Sequence, residues 1–403
     1  MSDTKVIHSS DTSGHIFSLF LKYVSANVLG MIGFSCYILA DTFFIARGIG
    51  SDALAALNLV LPAYSLLNGT GLMIGMGGGS RYSLSSTHPE GETHRTVFTQ
   101  SVLLAVIAAI FFALTGLLGA EPLCLLLGAD SRTLPFAVPY IRILLDYLFI
   151  YPLNLGMVGA ALATATAPLI SMGILSTHFL RGNSHFRLMK TKPSLSTASS
   201  ICSLGVSSLI TEVSSGIVIL VFNFLILDLS GNTGVAAYGV LANIALVLIA
   251  ISTGIAQGIQ PIVSSHPGKK GQPVRHQIRC YALLTALLLA LLSYAVIFLL
   301  ADPIADLFNK DQNTALTSIA ADGMRIYFTS LFFSGINIVA AVFLSSTDHP
   351  KQAFILSLLR GFLLIIPAAF LLAHLFGLTG IWMSLPVTEG IVCIFSLLFL
   401  KKV

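Results

Sequence analysis

From Val97 to Leu118 the chain runs for 22 residues without a charged side chain. A helix rises about 1.5 Å per residue, so this stretch alone crosses a hydrocarbon core of ~30 Å. Apolar segments of this kind recur at 17–46, 53–80, 97–118, 136–153, 157–180, 201–228, 234–264, 277–300, 317–346, 352–374 and 378–400. None alternates apolar and polar residues as a barrel strand does, and in lipid the helix is the other way to satisfy every backbone amide and carbonyl. The chain is therefore expected to be all-α and polytopic. Composition agrees: 9% of the residues are charged, against about 25% in soluble domains. Met1 to Gly14 is polar and the first apolar run is too long for a signal-peptide core, so no cleaved leader is expected.

The remaining charge is placed unevenly. Basic residues gather in the connections Arg81 to Arg95, 181–192 (Arg181, Arg187, Lys190, Lys192) and 269–279 (Lys269, Lys270, Arg275, Arg279), then at Lys351, Lys401 and Lys402. The intervening connections 119–135, 229–233 and 301–316 are acidic or neutral. This is the positive-inside pattern, so the basic loops and the C-terminus are expected in the cytoplasm and nucleic acid is not expected as a partner. The five cysteines are scattered without paired or metal-ligand spacing, which predicts free thiols and no metal site,. Neither a Ser-His-Asp nor a Cys-His arrangement is present, so the chain is not expected to be an enzyme. Two spans separate each basic connection from the next along the second half. Between Arg95 and Arg181, however, three apolar segments intervene, which would put 181–192 on the wrong side.

An internal repeat bears on that parity. "TGLMIG" (Thr70 to Gly75) matches "TGIAQG" (Thr253 to Gly258), an offset of 183 set by Gly71 against Gly254. "LLGAD" (Leu126 to Asp130) matches "LFNKD" (Leu307 to Asp311) close to that offset, and "YIRI" places Arg142 on Arg325 at 183 again. "LGMVGAALATA" (Leu155 to Ala165) then matches "FGLTGIWMSLP" (Phe376 to Pro386), with Gly159 on Gly380 at an offset of 221. The first half is thus about 38 residues short, and the gap opens just after Arg142. The stretch "PYIRILLDYLFIYPL" reads as the seam where two helices have been joined, which explains its marginal length. The other reading is an ordinary short helix with an Arg142–Asp146 pair at i,i+4.

The stretches "YILADTFFIARGIGSDALAAL" (Tyr37 to Leu57), "LDYLFIYPLNLGMVGAALATA" (Leu145 to Ala165) and "LGVSSLITEVSS" (Leu204 to Ser215) resemble the MATE (multidrug and toxic compound extrusion) transporters of the wider MOP exporter group. "VAAYGVLANIALV" (Val235 to Val247), "GIAQGIQPIVS" (Gly254 to Ser264) and "LFGLTGIWMSLPVTE" (Leu375 to Glu389) extend the resemblance over nearly the whole chain. It implies two pseudo-repeated six-helix lobes, here 1–190 and 191–403. The first is gapped near 142–146 and lacks about one helix, leaving 10–11 membrane helices. It further implies a monomeric antiporter of the plasma membrane, without an organic cofactor, that exchanges small organic cations or amphipathic drugs for Na+ or H+.

Carried over residue by residue, the resemblance makes Asp41, Asp146 and Thr164 the first-lobe cation site. Arg142 stands where the family has an asparagine one turn before Asp146, and a fixed guanidinium there would compete with a cation. A carboxylate inside a span costs roughly 2.5–3.5 kcal/mol on insertion scales, which favours a functional Asp41. The alternative is an aspartate reaching the interface beside Arg47. Glu212 lies about eleven residues into the 201–228 segment and is the expected proton- or cation-coupling group. The alternative is a protonated core glutamate. Its partner in some family members, an aspartate on the tenth helix, is missing, since Met324 to Thr347 contains no carboxylate. Asn223, Asn243, Gln257 and Gln260 either line the substrate cavity or bridge helices. "GMGGGS" (Gly75 to Ser80) lacks the Lys-Ser/Thr ending of a phosphate loop and reads as close helix packing. Trp382 and Pro386 read as packing residues. Two other functions stay open beside the antiporter: a lipid-linked precursor flippase of the same exporter group, and a gapped relic that inserts without transporting.

Overall fold

The computed structural model describes residues 13–48, 51–85, 94–126, 134–135, 138, 189, 191–308 and 313–403, and for 37–48 and 51–61 the backbone alone. Among these residues the structure is helical without strands. The long helices are α1 (Ser13–Gly48), α2 (Ser51–Leu84), α3 (His94–Leu126), α4 (Leu195–Ser264) and α5 (Gln272–Phe308). They are followed by α6 (Thr314–Tyr327), α7 (Leu331–Ser346), α8 (Pro350–Leu358) and α9 (Ile365–Leu400). A 3-10 turn (Phe328–Ser330) joins α6 to α7, and a π turn (Leu359–Leu363) joins α8 to α9. Six stretches are long and apolar enough to cross a membrane: 14–33, 94–125, 195–264, 269–308, 314–346 and 350–400. The expected all-α membrane fold is present. The expected segments 136–153 and 157–180 fall outside the described residues, apart from residue 138.

The 70-residue α4 is two helices. Gly231 breaks it at φ 60, ψ −159, a region that glycine alone enters readily. Phe222 and Tyr238 would lie about 24 Å apart on a straight helix, yet their ring centroids are 5.5 Å apart. The chain therefore doubles back at Gly231. Gly377 (φ 58, ψ −137) does the same inside α9. There a side-chain carbon on Gly380 would run into the carbonyl of Leu372. With both folds counted, the second half passes back and forth six times, as a six-helix lobe requires.

The chain forms two compact units, Met1–Ser35 with Ser203–Val403, and Cys36–Cys202. In the first, two apolar clusters make the core. Phe222, Ile226, Tyr238, Leu241, Met324, Phe328 and Trp382 form one. Phe20, Val24, Ile255, Ile259, Val339, Phe343 and Leu344 form the other. Trp382 is buried, stacked on Tyr238 at 6.1 Å and pressed on Gly323. Charge separates along this unit. Arg279 donates to the Leu400 carbonyl at 2.6 Å and lies over the Phe343 ring. The start of α5 and the ends of α7 and α9 thus share one end with Lys269, Lys270, Lys401 and Lys402. At the other end Arg325 pairs with Asp302 at 2.5 Å and Thr317 donates to Asp306 at 2.7 Å.

In the second unit, Gly78 of "GMGGGS" lies so close to α3 that an added side-chain carbon would stand 2.5 Å from Ser101 Oγ. Gln100, near the start of α3, donates to the Lys192 carbonyl at 2.7 Å and accepts from the Ser194 amide at 3.2 Å. Met189 likewise donates to Thr99 at 3.0 Å. The start of α3 and residues 189–194 therefore lie at the same end of this unit.

Candidate functional site

Glu212 sits on α4 and is half-buried. Hydroxyl residues flank it in sequence on its own helix. Thr211 Oγ1 donates to the Ser207 carbonyl at 2.9 Å, while Ser214 and Ser215 donate to the Thr211 carbonyl at 3.0 and 2.9 Å. Two contacts tie this turn to the next elements. Thr211 reaches Ser357 Oγ of α8 at 3.4 Å, and a side-chain carbon on Gly361 would stand 2.5 Å from Ser214 Cβ. The π turn is thus seated on the turn that carries Glu212. A π turn widens the helix by one residue and leaves backbone groups out of the regular ladder, a feature concentrated at functional places.

On the other side of that turn lies the most polar buried cluster in the unit. Arg360 Nε donates to Glu389 Oε1 at 2.5 Å, with the Glu389 side chain 1% exposed and that of Arg360 16% exposed. Asn337 Nδ2 donates to Glu389 Oε2 at 2.6 Å and to the Glu389 carbonyl at 2.9 Å. Ser396 Oγ donates to Asn337 Oδ1 at 2.8 Å. Both carboxylate oxygens are satisfied, which is what keeps a buried charge tolerable. The hydroxyl of Thr388, also buried, lacks a hydrogen-bond partner.

Sequence reasoning passed over Arg360, Asn337 and Glu389. A signal existed: each of the segments 352–374 and 378–400 carries one charge, of opposite sign. The rule that singled out Asp41 and Glu212 applies equally to charges on neighbouring spans. Asn337 stands in the stretch without carboxylates, where it binds one contributed by α9. The cavity candidates Asn223, Asn243, Gln257 and Gln260 all lie half-buried on α4. Gln257 lies between Gly254 and Gly258, which take the backbone of α1 at Val28 and Val24. Asp41 belongs to the later part of α1, 37–48, where the backbone alone is described, and Arg142, Asp146 and Thr164 lie outside the described residues.

A sequence model of the MatE family matches residues 27–182 and 207–371. The chain belongs to the MatE family. The family is one of membrane transporters, and its model matching twice reproduces the internal repeat. The multidrug export protein MepA of Staphylococcus saprophyticus is 23% identical over 439 aligned positions, covering 99% of this chain and 96% of that protein. MepA of Staphylococcus aureus is 23% identical, covering 95% and 93%. The 439 positions exceed this chain's 403 residues by 36, so at least that many are filled in the relative and unfilled here. The shortfall agrees in size with the one read from the repeat, while its expected place after Arg142 lies outside the described residues. Among solved structures, an outward-facing multidrug resistance MATE family transporter of the MOP superfamily superposes with TM-score 0.85 at 19% identity, covering 100% of this chain and 98% of that one. The MATE multidrug transporter DinF-BH gives 0.85 at 23% identity, with the same coverage. These likenesses establish the fold.

Proposed function

We propose that this chain is a secondary active multidrug efflux antiporter that expels small organic cations or amphipathic drugs in exchange for Na+ or H+. The observation that carries the reading is the end-to-end match to the MepA exporters, 99% of this chain against 96% of the relative. Glu212 is the coupling carboxylate. It lies half-buried inside an apolar helix, where a carboxylate is costly unless used. Asp41, Asp146 and Thr164 form a first-lobe cation site weakened by Arg142, and Asn223, Asn243, Gln257 and Gln260 face the substrate. The protein is a monomer of the plasma membrane, with the basic loops and the C-terminus in the cytoplasm.

Ethidium efflux from loaded vesicles under an imposed pH or Na+ gradient tests the reading. Glu212→Gln keeps size and hydrogen bonding and removes the titrating charge, so it is expected to abolish gradient-driven efflux at unchanged membrane abundance. Equal efflux in parent and variant removes Glu212 from the mechanism. The missing 36 or more positions favour one second reading, a gapped relic that inserts without transporting; absence of efflux in the parent supports it.

A further inference from the structure

We propose that Arg360 and Glu389 are positioning residues for Glu212, acting through the π turn that lies between them. The inference rests on Glu212 being the coupling carboxylate. Arg360 belongs to the π turn Leu359–Leu363, and the next residue, Gly361, is the one pressed on Ser214. A turn away, Ser357 meets Thr211, the neighbour of Glu212. The same five residues therefore touch the Glu212 turn with their backbone and hold Glu389 with a side chain. Glu389 is fixed in turn by Asn337 of α7 at 2.6 Å, and Asn337 by Ser396 of α9 at 2.8 Å. The result is one continuous chain of contacts from α9 through the π turn to the turn of α4 that carries Glu212.

The arrangement does two things. It pins the π turn against α4, which fixes the face on which Glu212 stands. It also neutralises the Arg360 charge in the turn that is seated against the Glu212 turn. Among the described residues, the π turn carries Arg360, α9 carries Glu389 and His374, and Lys351 stands at the far end of α8. Tyr327 of α6 also lies near the pair. The described helix α7 presents Asn337 and lacks charged side chains. Glu389 is the carboxylate that balances Arg360.

Charge balance makes the two single substitutions act in opposite directions. Glu389→Gln leaves the guanidinium unopposed, which favours the ionised form of Glu212 and moves the pH midpoint of efflux down. Arg360→Gln leaves the Glu389 carboxylate unopposed, which disfavours it and moves the midpoint up. Shifts of about half a pH unit or more are expected, since a single charge within reach moves a neighbour by that order. The double variant R360Q/E389Q has neither charge, and its two amides can still hydrogen-bond to hold the π turn, so it is expected to return to the parent midpoint. It also guards against loss of folding, because replacing both partners of a buried pair is far milder than replacing one.

The measurement is ethidium efflux from vesicles across about pH 5.5 to 9, bracketing the shifts expected, for the parent, both single variants, the double variant and Glu212→Gln. Opposite shifts with restoration in the double variant support the proposal, since a general packing defect has no sign. Unmoved midpoints in the singles, shifts of the same sign, or a double variant displaced from the parent overturn it. If Glu212→Gln still transports while Glu389→Gln does not, the coupling role passes to Glu389 and the positioning role is wrong. Efflux absent in the parent overturns both.

Discussion

Gly254 and Gly258 stand one turn apart on the face of α4 that receives α1. A side-chain carbon would fall 2.6 Å from Val28 Cα at the first and 2.7 Å from Val24 Cα at the second. Both obstacles are backbone, which cannot swing aside. Gly258→Val is therefore expected to cost about 1–3 kcal/mol, the usual range for overpacking. Thermal unfolding in detergent should show it, against Gly75→Ala, which meets nothing within 4 Å. A Gly258→Val protein as stable as the parent would rule out this close approach. The glycine pair was legible, since "TGIAQG" is one arm of the repeat. The Arg360–Glu389 pair was legible only as two separate charges, because they stand 29 positions apart in the chain and the fold at Gly377 brings them together. With Arg142 in the asparagine's place, Asp41→Asn is expected to change the ion dependence of efflux less than about twofold, and a loss of roughly tenfold or more would contradict a weakened first-lobe site.

The elements of the second half follow the apolar segments closely, and the departures have physical causes. The polar run "SGNTG" (Ser230 to Gly234) reads as a loop between 201–228 and 234–264. In the structure helix continues to either side of Gly231, because one residue in a glycine-only conformation reverses the chain and the flanking polar side chains simply end their helices. Substituting alanine at Gly231 or Gly377 forces a Cβ into that conformation. Each change is expected to cost about 1–3 kcal/mol, measured as a lower unfolding temperature of the purified protein. Unchanged stability would show that alanine tolerates the reversal. The π turn had no signature in the sequence, since it breaks neither at a proline nor at a polar cluster. It is seen in the backbone, where the Leu364 amide donates to the Leu359 carbonyl five residues back at 3.0 Å.

At the scale of the whole molecule, the charge pattern was the most legible feature, and the structure gathers it by ends. Lys269, Lys270, Arg279, Lys401 and Lys402 belong to one end of their unit, Asp302, Asp306 and Asp322 to the other. Single cysteines at Lys192, Lys270 and Lys402 in a cysteine-free background are expected to react with an impermeant maleimide from the cytoplasmic side alone. A cysteine at Asp306 is expected to react from outside. Labelling of Lys192 and Lys270 from opposite faces would overturn the assigned topology. The first lobe was less legible because its repeat is interrupted where the parity argument needed it. The one-residue reversals at Gly231 and Gly377 carry a further implication for the family's history. A turn of a single residue has no slack, and adding or deleting one there rotates the following helix by about 100°, swapping the face it shows its neighbours. Length variation between descendants of this chain should therefore collect in connectors with residues to spare, such as 265–271, and leave the acidic-end reversals untouched.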